Sequence, residues 1–318
     1  MIKRDAFLPF GKPVFEEAEI AAVADAVRSG WISTGPRTVE FQKMMSEYTG
    51  CRFTLGLSSC TAGLFLALRV LDIGPGDEVI VPPFTFAATA NVVVHCGATP
   101  VFADVELDTC TMDPDRFAAA ITSRTKAVIP VHLYGRPAAI ARIRAIAAER
   151  GIAVIGDCAH ATEARVNGTN VARLADLSSL SFYATKNLAV GEGGMLCTDS
   201  EEHFRRAEVL ALHGMSRGAF KRFGETGFKF YDIIEAGYKC NMTDISAALG
   251  IEQLKRLEKR LLRRAEIWER YDAAFADLPL VRPAPVEPGT VHARHLYTLR
   301  TTGSLDRNRI LERIQQAN

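Results

Sequence analysis

The feature that most constrains this chain is an alternation of short apolar runs with helical segments between residues 53 and 157. Residues 53–57, 78–81, 99–103, 127–131 and 152–155 read as strands, and 64–71, 85–94, 115–121 and 138–150 carry apolar positions at helical spacing between them. Strands and helices trading places at this pitch imply an α/β fold, with a mostly parallel central sheet flanked by helices. Ligands of such sheets sit at the carboxyl ends of the strands. The turns SSCTAG (58–63), PPFTF (82–86), HLYG (132–135) and GDCAH (156–160) are therefore expected on one rim.

A fifth turn joins that rim. A small-residue and apolar run over 177–182 leads into a polar turn with one lysine, Lys186, then into Gly191, Gly193 and Gly194 and a second strand-like run over 195–198. A lysine just past a buried strand is poorly placed for an ordinary surface charge. Burial lowers its pKa and makes the amine a nucleophile suited to Schiff-base chemistry, whereas a solvated turn lysine would have no such role. The hydroxyl-rich approach to the helix at 64–71 suits a phosphate, because the first amides of a helix lack partners and carry partial positive charge. The plainer reading is an N-cap by Ser59 or Thr61. Asp157 ends an apolar strand, where an unpaired carboxylate is costly, so it is expected to have a cationic or proton-donating partner, an arginine being the structural alternative. His160 can stack on a ring or be structural, and Phe86 can face a ring or be core. Together, a phosphate cradle, an aromatic, a buried carboxylate and a buried amine are what an aldehyde-bearing pyridine phosphate requires.

The formal net charge of +1 supplies no field for nucleic acid or an anionic membrane. The basic run 255–264 is interleaved with glutamates (Glu252, Glu258, Glu266) and reads as a solvated helix face. Seven dispersed cysteines without a C-x-x-C pair fit reduced thiols in a cytoplasmic protein, not disulfides or a metal site. The opening MIKRDAFLPFGKP lacks the apolar run of a secretory leader, and no stretch is long enough to span a membrane.

The motifs WISTGP (31–36), SSCTAG (58–63), PPFTFAATAN (82–91), GATPVFADV (97–105), VHLYGRP (131–137), GDCAHA (156–161), SFYATKNLAVGEGGM (181–195) and GYKCNMTDISAALG (237–250) stand in an order spanning most of the chain. On them the chain resembles the DegT-type sugar aminotransferases, pyridoxal 5'-phosphate enzymes of aspartate aminotransferase fold type I. The resemblance implies that Lys186 bears the cofactor and moves the proton, and that Asp157 pairs with the pyridinium nitrogen. It also implies that His160 and Phe86 flank the ring, that Cys60, Thr61 and Ser181 hold the phosphate, and that no metal takes part. Asn241 corresponds to the residue that reaches the neighbouring subunit's phosphate, implying a homodimer; Lys239 occupies the position that bears the amide in some members. The implied reaction is a ping-pong aldimine transfer from L-glutamate onto a keto group, C4 favoured, of a nucleotide-linked deoxysugar, as in polysaccharide biosynthesis.

Residues 1–242 are expected to form the large cofactor-binding domain. Residues 243–318 would hold a long helix or kinked pair over 243–275, a proline-marked break (Pro283, Pro285, Pro288), a strand over 292–300 and a further helix from Ile310. The family implies a longer small domain, so the chain is expected to be cut short at its C-terminus. That leaves open a cofactor-binding regulatory or interaction paralogue without full catalysis. Relatives that dehydrate sugars carry histidine where this chain has Lys186, which argues against that activity.

Overall fold

The computed structural model describes residues 7–216, 231–303 and 305–317; residues 1–6 and 318, on which the reading of the two chain ends partly rests, lie outside it. Helices α1 (Glu17–Arg28) and α2 (Pro36–Thr49) precede β1 (Phe53–Leu57). The alternation then runs α3 (Cys60–Val70), β2 (Glu78–Val81), α4 (Ala88–His95), β3 (Thr99–Phe102), α5 (Pro114–Ala120), β4 (Thr125–Val128), α6 (Ile140–Arg150) and β5 (Ala153–Asp157). A small hairpin, β6 (Arg165–Val166) and β7 (Thr169–Asn170), leads to β8 (Leu177–Ser181), β9 (Gly194–Thr198) and α7 (Glu201–Ala211). The remainder comprises α8 (Asp244–Lys255), α9 (Leu257–Ala274), the two-residue strands β10 (Leu280–Val281), β11 (Thr290–Val291) and β12 (Arg300–Thr301), and α10 (Arg307–Ala317).

Seven strands form the central sheet in the order β1-β9-β8-β5-β4-β2-β3. All pairs are parallel except the two made by β9, which returns from β8 and runs against both neighbours. Both faces are covered, as a mostly parallel sheet requires. Period-two alternation sends Val79 and Val81 into a core shared with Leu64 and Leu68 of α3 and Leu210 of α7, while Ile80 meets Phe117 of α5 and Ile143 of α6. Phe41 and Met45 of α2 pack with Ile251 of α8 and Phe182 in a further cluster. Among the described residues no helix is long and apolar enough to cross a membrane.

Two local expectations need correction, and the choice left open over 243–275 resolves to the kinked pair. The helix expected over 85–94 begins only at Ala88, leaving Thr85 and Phe86 in the turn after β2. The stretch 243–275 is a pair of helices broken at Arg256, whose guanidinium pairs with Glu16 and Glu19 at the start of α1. Residues 292–299 form no strand. Arg294 takes a left-handed backbone (φ 49°), and the amides of Ala293 and His295 donate to the carbonyls of Gly135 and Tyr134 at 2.8 and 3.0 Å, so the segment is spent on the large sheet's rim instead.

The WISTGP turn is structural. Gly35 N-caps α2 without a side chain, and the missing acceptor comes from Asp244 at the start of α8, which is fully buried. Its Oδ1 accepts from Gly35 N (2.7 Å), Thr38 N (2.9 Å) and Thr38 Oγ1 (2.7 Å), and its Oδ2 accepts from Arg37 N (2.9 Å). A Cβ on Gly35 would lie 2.7 Å from Oδ2, so only glycine admits this approach. Asp244→Ala would strand four donors, each costing ~1–3 kcal/mol when buried and unmet, and a loss of about 3 kcal/mol or more is expected from urea denaturation. An unchanged midpoint would show that water replaces the carboxylate.

Candidate active site

The carboxyl ends of β1, β2, β4, β5 and β8 converge on one cavity of about 340 Å³, within the usual size range of small-molecule sites. Each expected rim turn contributes to it. The turn after β1 brings Ser59, Cys60 and Thr61; that after β2 brings Thr85 and Phe86; that after β4 brings Val131 and Leu133. Asp157 and His160 come from the end of β5, and Ser181 and Lys186 from the end of β8.

One end of the cavity is the N-terminus of α3. Ser59 is the N-cap, its Oγ accepting from Ala62 N at 3.0 Å, which leaves the amides of Cys60 and Thr61 without an acceptor among the described residues. The hydroxyl of Thr61 is exposed, and Ser181 is buried beside it in the lining. The thiol of Cys60 turns away, lying 3.5 Å from the carbonyl of Ser179, and burial pushes its pKa far up. Cys60 thus offers its backbone and not its sulfur. Two glycines make the cradle possible. A Cβ on Gly194 would stand 2.3 Å from the Ser59 carbonyl carbon, and one on Gly63 would stand 2.2 Å from Ser179 Oγ. These close approaches explain glycine in GEGG and SSCTAG.

Asp157 is 4% exposed. Among the described residues no arginine reaches it: its Oδ2 accepts from Thr89 Oγ1 at 2.9 Å and its Oδ1 from Ala159 N at 3.1 Å. Its partners among the described residues are therefore proton donors and not an arginine. Burial pushes its carboxyl up, opposed by those two hydrogen bonds and by the charge of Lys186. Lys186 is half-buried, its backbone amide bonded to Tyr183 O at 2.8 Å, and among the described residues nothing binds its amine. Burial pushes that amine below its ordinary range, with the charge of Asp157 acting the other way.

His160 lines the cavity as a neutral ring. Its Nδ1 accepts from Tyr134 N at 3.2 Å, which leaves the proton of the neutral ring on Nε2, and burial pushes its pKa down to about 3. Phe86 is 74% exposed, so it is not core; it stands at the cavity mouth. Asn241 and Lys239 do not line this cavity. Asn241 is half-buried and donates to Thr34 Oγ1 at 2.7 Å, joining the GYKCN and WISTGP motifs, while Lys239 is exposed. Thr89, which holds Asp157, had no signal in the sequence beyond its place in the FAATAN helix. Tyr183 and Glu192 also line the cavity unannounced.

A pyridine phosphate fits this donor set. The first-turn amides and hydroxyls suit its phosphate, a buried carboxylate that meets no cation among the described residues suits a protonated ring nitrogen, and the lysine amine suits its aldehyde. Among the described residues no cluster of potential metal ligands exists.

Comparison with known proteins agrees. The sequence profile of the DegT/DnrJ/EryC1/StrS aminotransferase family matches residues 13–318. The spore coat polysaccharide biosynthesis protein SpsC of Bacillus subtilis (strain 168) is 46% identical over 298 residues, 93% of this chain and 76% of that one. The putative sugar aminotransferase Spr1654 from Streptococcus pneumoniae superposes in its PMP form with a TM-score of 0.92 at 39% identity, covering 98% of this chain and 84% of that one. Its PLP form superposes with a TM-score of 0.90 at the same identity, covering 98% and 82%.

Proposed function

The chain belongs to the DegT/DnrJ/EryC1/StrS aminotransferase family, whose members use pyridoxal phosphate, and on that premise we propose that it moves an amino group from L-glutamate onto a keto group, C4 favoured, of a nucleotide-linked deoxysugar. One observation carries the reading: a single cavity is lined by a lysine amine and a buried carboxylate that are, among the described residues, without an ionic partner, and by the open N-terminus of an eleven-residue helix. When bound, pyridoxal phosphate supplies an aldehyde that condenses with primary amines and a ring that withdraws electrons from the carbon attached to them.

The side chains then divide the work. Lys186 would hold the cofactor through its amine, and that amine, when free, would carry the proton between the donor's α-carbon, the cofactor and the sugar carbon. The carboxylate of Asp157, favoured by its hydrogen bonds from Thr89 and Ala159, would hold a proton on the ring nitrogen. The amides of Cys60 and Thr61, with the hydroxyls of Thr61 and Ser181, would bind the phosphate. His160 and Phe86 would sit against the ring, the first as a neutral donor from Nε2. Asn241 would serve a neighbouring subunit. Its loop is tied to the phosphate end by a 2.7 Å hydrogen bond from Ser58 N to Cys240 O, yet its side chain stays out of its own cavity, which supports a homodimer. Every residue lining the cavity comes from 1–242, which supports the division of the chain there, although α8 packs into the larger core. Reduced thiols and the absence of a strong net charge support a cytoplasmic enzyme without nucleic-acid or membrane partners.

The test is a substrate panel. Protein converted to its amino form with L-glutamate should bleach its cofactor absorbance, then aminate one 4-keto nucleotide sugar, seen as the product mass. Conversion of only 3-keto sugars, or of free keto acids alone, would overturn the C4 or the sugar assignment respectively.

A further inference from the structure

Among the described residues the amine of Lys186 has no partner, so its aim is set by the backbone that carries it, and that backbone is held by the next residue. Asn187 spends one side-chain N–H on both carboxylate oxygens of Glu163 (3.1 and 3.0 Å) and the other on the carbonyl of Ala293 (3.0 Å). Those donations determine which way the amide points. Its Oδ1 must accept, and the donor is Nδ1 of His295 at 2.9 Å.

Each of these partners leads elsewhere in the fold. Glu163 is fully buried and also receives the guanidinium of Arg264 on α9. Burying a carboxylate to hold one amide and one arginine is costly for a surface-loop brace, and it places a rigid acceptor directly behind the lysine turn. His295 lies with its ring centroid 4.4 Å from that of His160. The backbone of Tyr134 donates to His160 Nδ1 and accepts from His295 N at 3.0 Å, so the two imidazoles share one support. That support is itself built from residues in the left-handed region, Tyr134 (φ 58°) and Arg294 (φ 49°). A single side-chain amide thus joins the lysine turn, α9, the 292–296 segment and the back of His160.

The structure assigns to Asn187 a positioning role: gripped by Glu163, Ala293 and His295, it holds the backbone that aims the Lys186 amine, and the ring of His160, into the cavity. The assignment rests on Lys186 being the reacting amine. Asn187 itself lines no part of the cavity and acts only through its neighbours.

The test follows capture of pyridoxal phosphate by the apoprotein. Wild type, Asn187→Ala, His295→Gln and Lys186→Ala are mixed with the cofactor, quenched with borohydride at intervals, and the label on residue 186 is quantified by mass spectrometry. Non-covalent affinity and melting temperature are measured on the same samples. Asn187→Ala should slow labelling of Lys186 by at least about tenfold while non-covalent affinity holds within roughly threefold, since misplacing a reacting group by about an ångström costs rate before it costs binding. His295→Gln, which keeps an N–H toward Asn187 Oδ1 but removes the ring, should slow labelling by a smaller factor. Loss of affinity and melting temperature together, with an unchanged labelling rate for the bound fraction, would mean a structural brace only and overturn the proposal. Should Asn187→Ala not fold, wild-type labelling of His295→Gln overturns it equally. Wild-type labelling of both variants beside an unlabelled Lys186→Ala sinks the positioning role and leaves the lysine assignment standing. Label persisting in Lys186→Ala sinks both.

Discussion

Lys186→Ala is expected to abolish the transfer of an amino group, with turnover falling by ~10⁴-fold or more, the upper end for removal of a positioned acid–base group. The size follows from two losses at one position. The residue is the primary amine lining the cavity, unpaired among the described residues, and burial holds it below its ordinary pKa, so a larger fraction is neutral and able to attack or accept a proton at neutral pH. Alanine removes both the attachment and the proton carrier. The variant should still bind pyridoxal phosphate without a bond, because the phosphate cradle at α3 and the carboxylate of Asp157 are untouched. Borohydride treatment and mass spectrometry should then find no cofactor on the chain, and millimolar methylamine should restore part of the proton transfer. Turnover within tenfold of wild type would mean that another amine does the work.

Asp157→Asn is the second large effect, and here activity and stability are expected to move in opposite directions. The carboxylate is buried, and its folded-state pKa lies above the unfolded value, burial being the main cause. The sign follows from that direction. Below the unfolded pKa the group costs nothing; as pH rises through the folded pKa the fold must carry a desolvated charge, and stability is lost. Asparagine keeps the shape and can still accept from Ala159 N, while the Thr89 hydroxyl, already 2.8 Å from Thr85 Oγ1, can turn to accept. The apoprotein should therefore melt at or above the wild-type temperature at pH 7. Removing one partner of a buried charge pair costs ~3–5 kcal/mol, and each 1.36 kcal/mol is a factor of ten, so turnover with cofactor bound should fall by at least about 10²-fold. A variant that keeps its rate would show that the ring nitrogen needs no carboxylate here; one that unfolds would show that Thr89 and Ala159 depend on the charge.

Much of this site is legible one turn at a time. Lys186, Asp157 and the SSCTAG cradle each follow an apolar strand, and the end of a parallel strand is where the backbone leaves the sheet and ligands approach. The glycines of GEGG are legible as turn formers, though the reason for Gly194, close contact with Ser59, arises only in the folded chain. The partner of Asp157 was not legible. Thr89 is 68 residues away on a helix, and nothing in FAATAN distinguishes a core threonine from a carboxylate ligand. The 292–300 segment misleads for a similar reason. Its composition suits a strand, yet its amides find better acceptors on Tyr134 and Gly135 than any neighbouring strand provides.

The sequence by itself determined the sheet, its rim and the chemical kinds of group on that rim, because hydrophobic periodicity and turn residues act over a few positions and do not depend on distant partners. Tertiary structure alone decided which of those groups are paired. Among the described residues, Cys60 presents an amide and not a thiol, Asp157 meets two donors and no arginine, and Lys186 is left free while Asn187 beside it is bound on three sides. Pairing is a matter of geometry across the fold, and in a buried site it is pairing that separates a nucleophile from a structural charge.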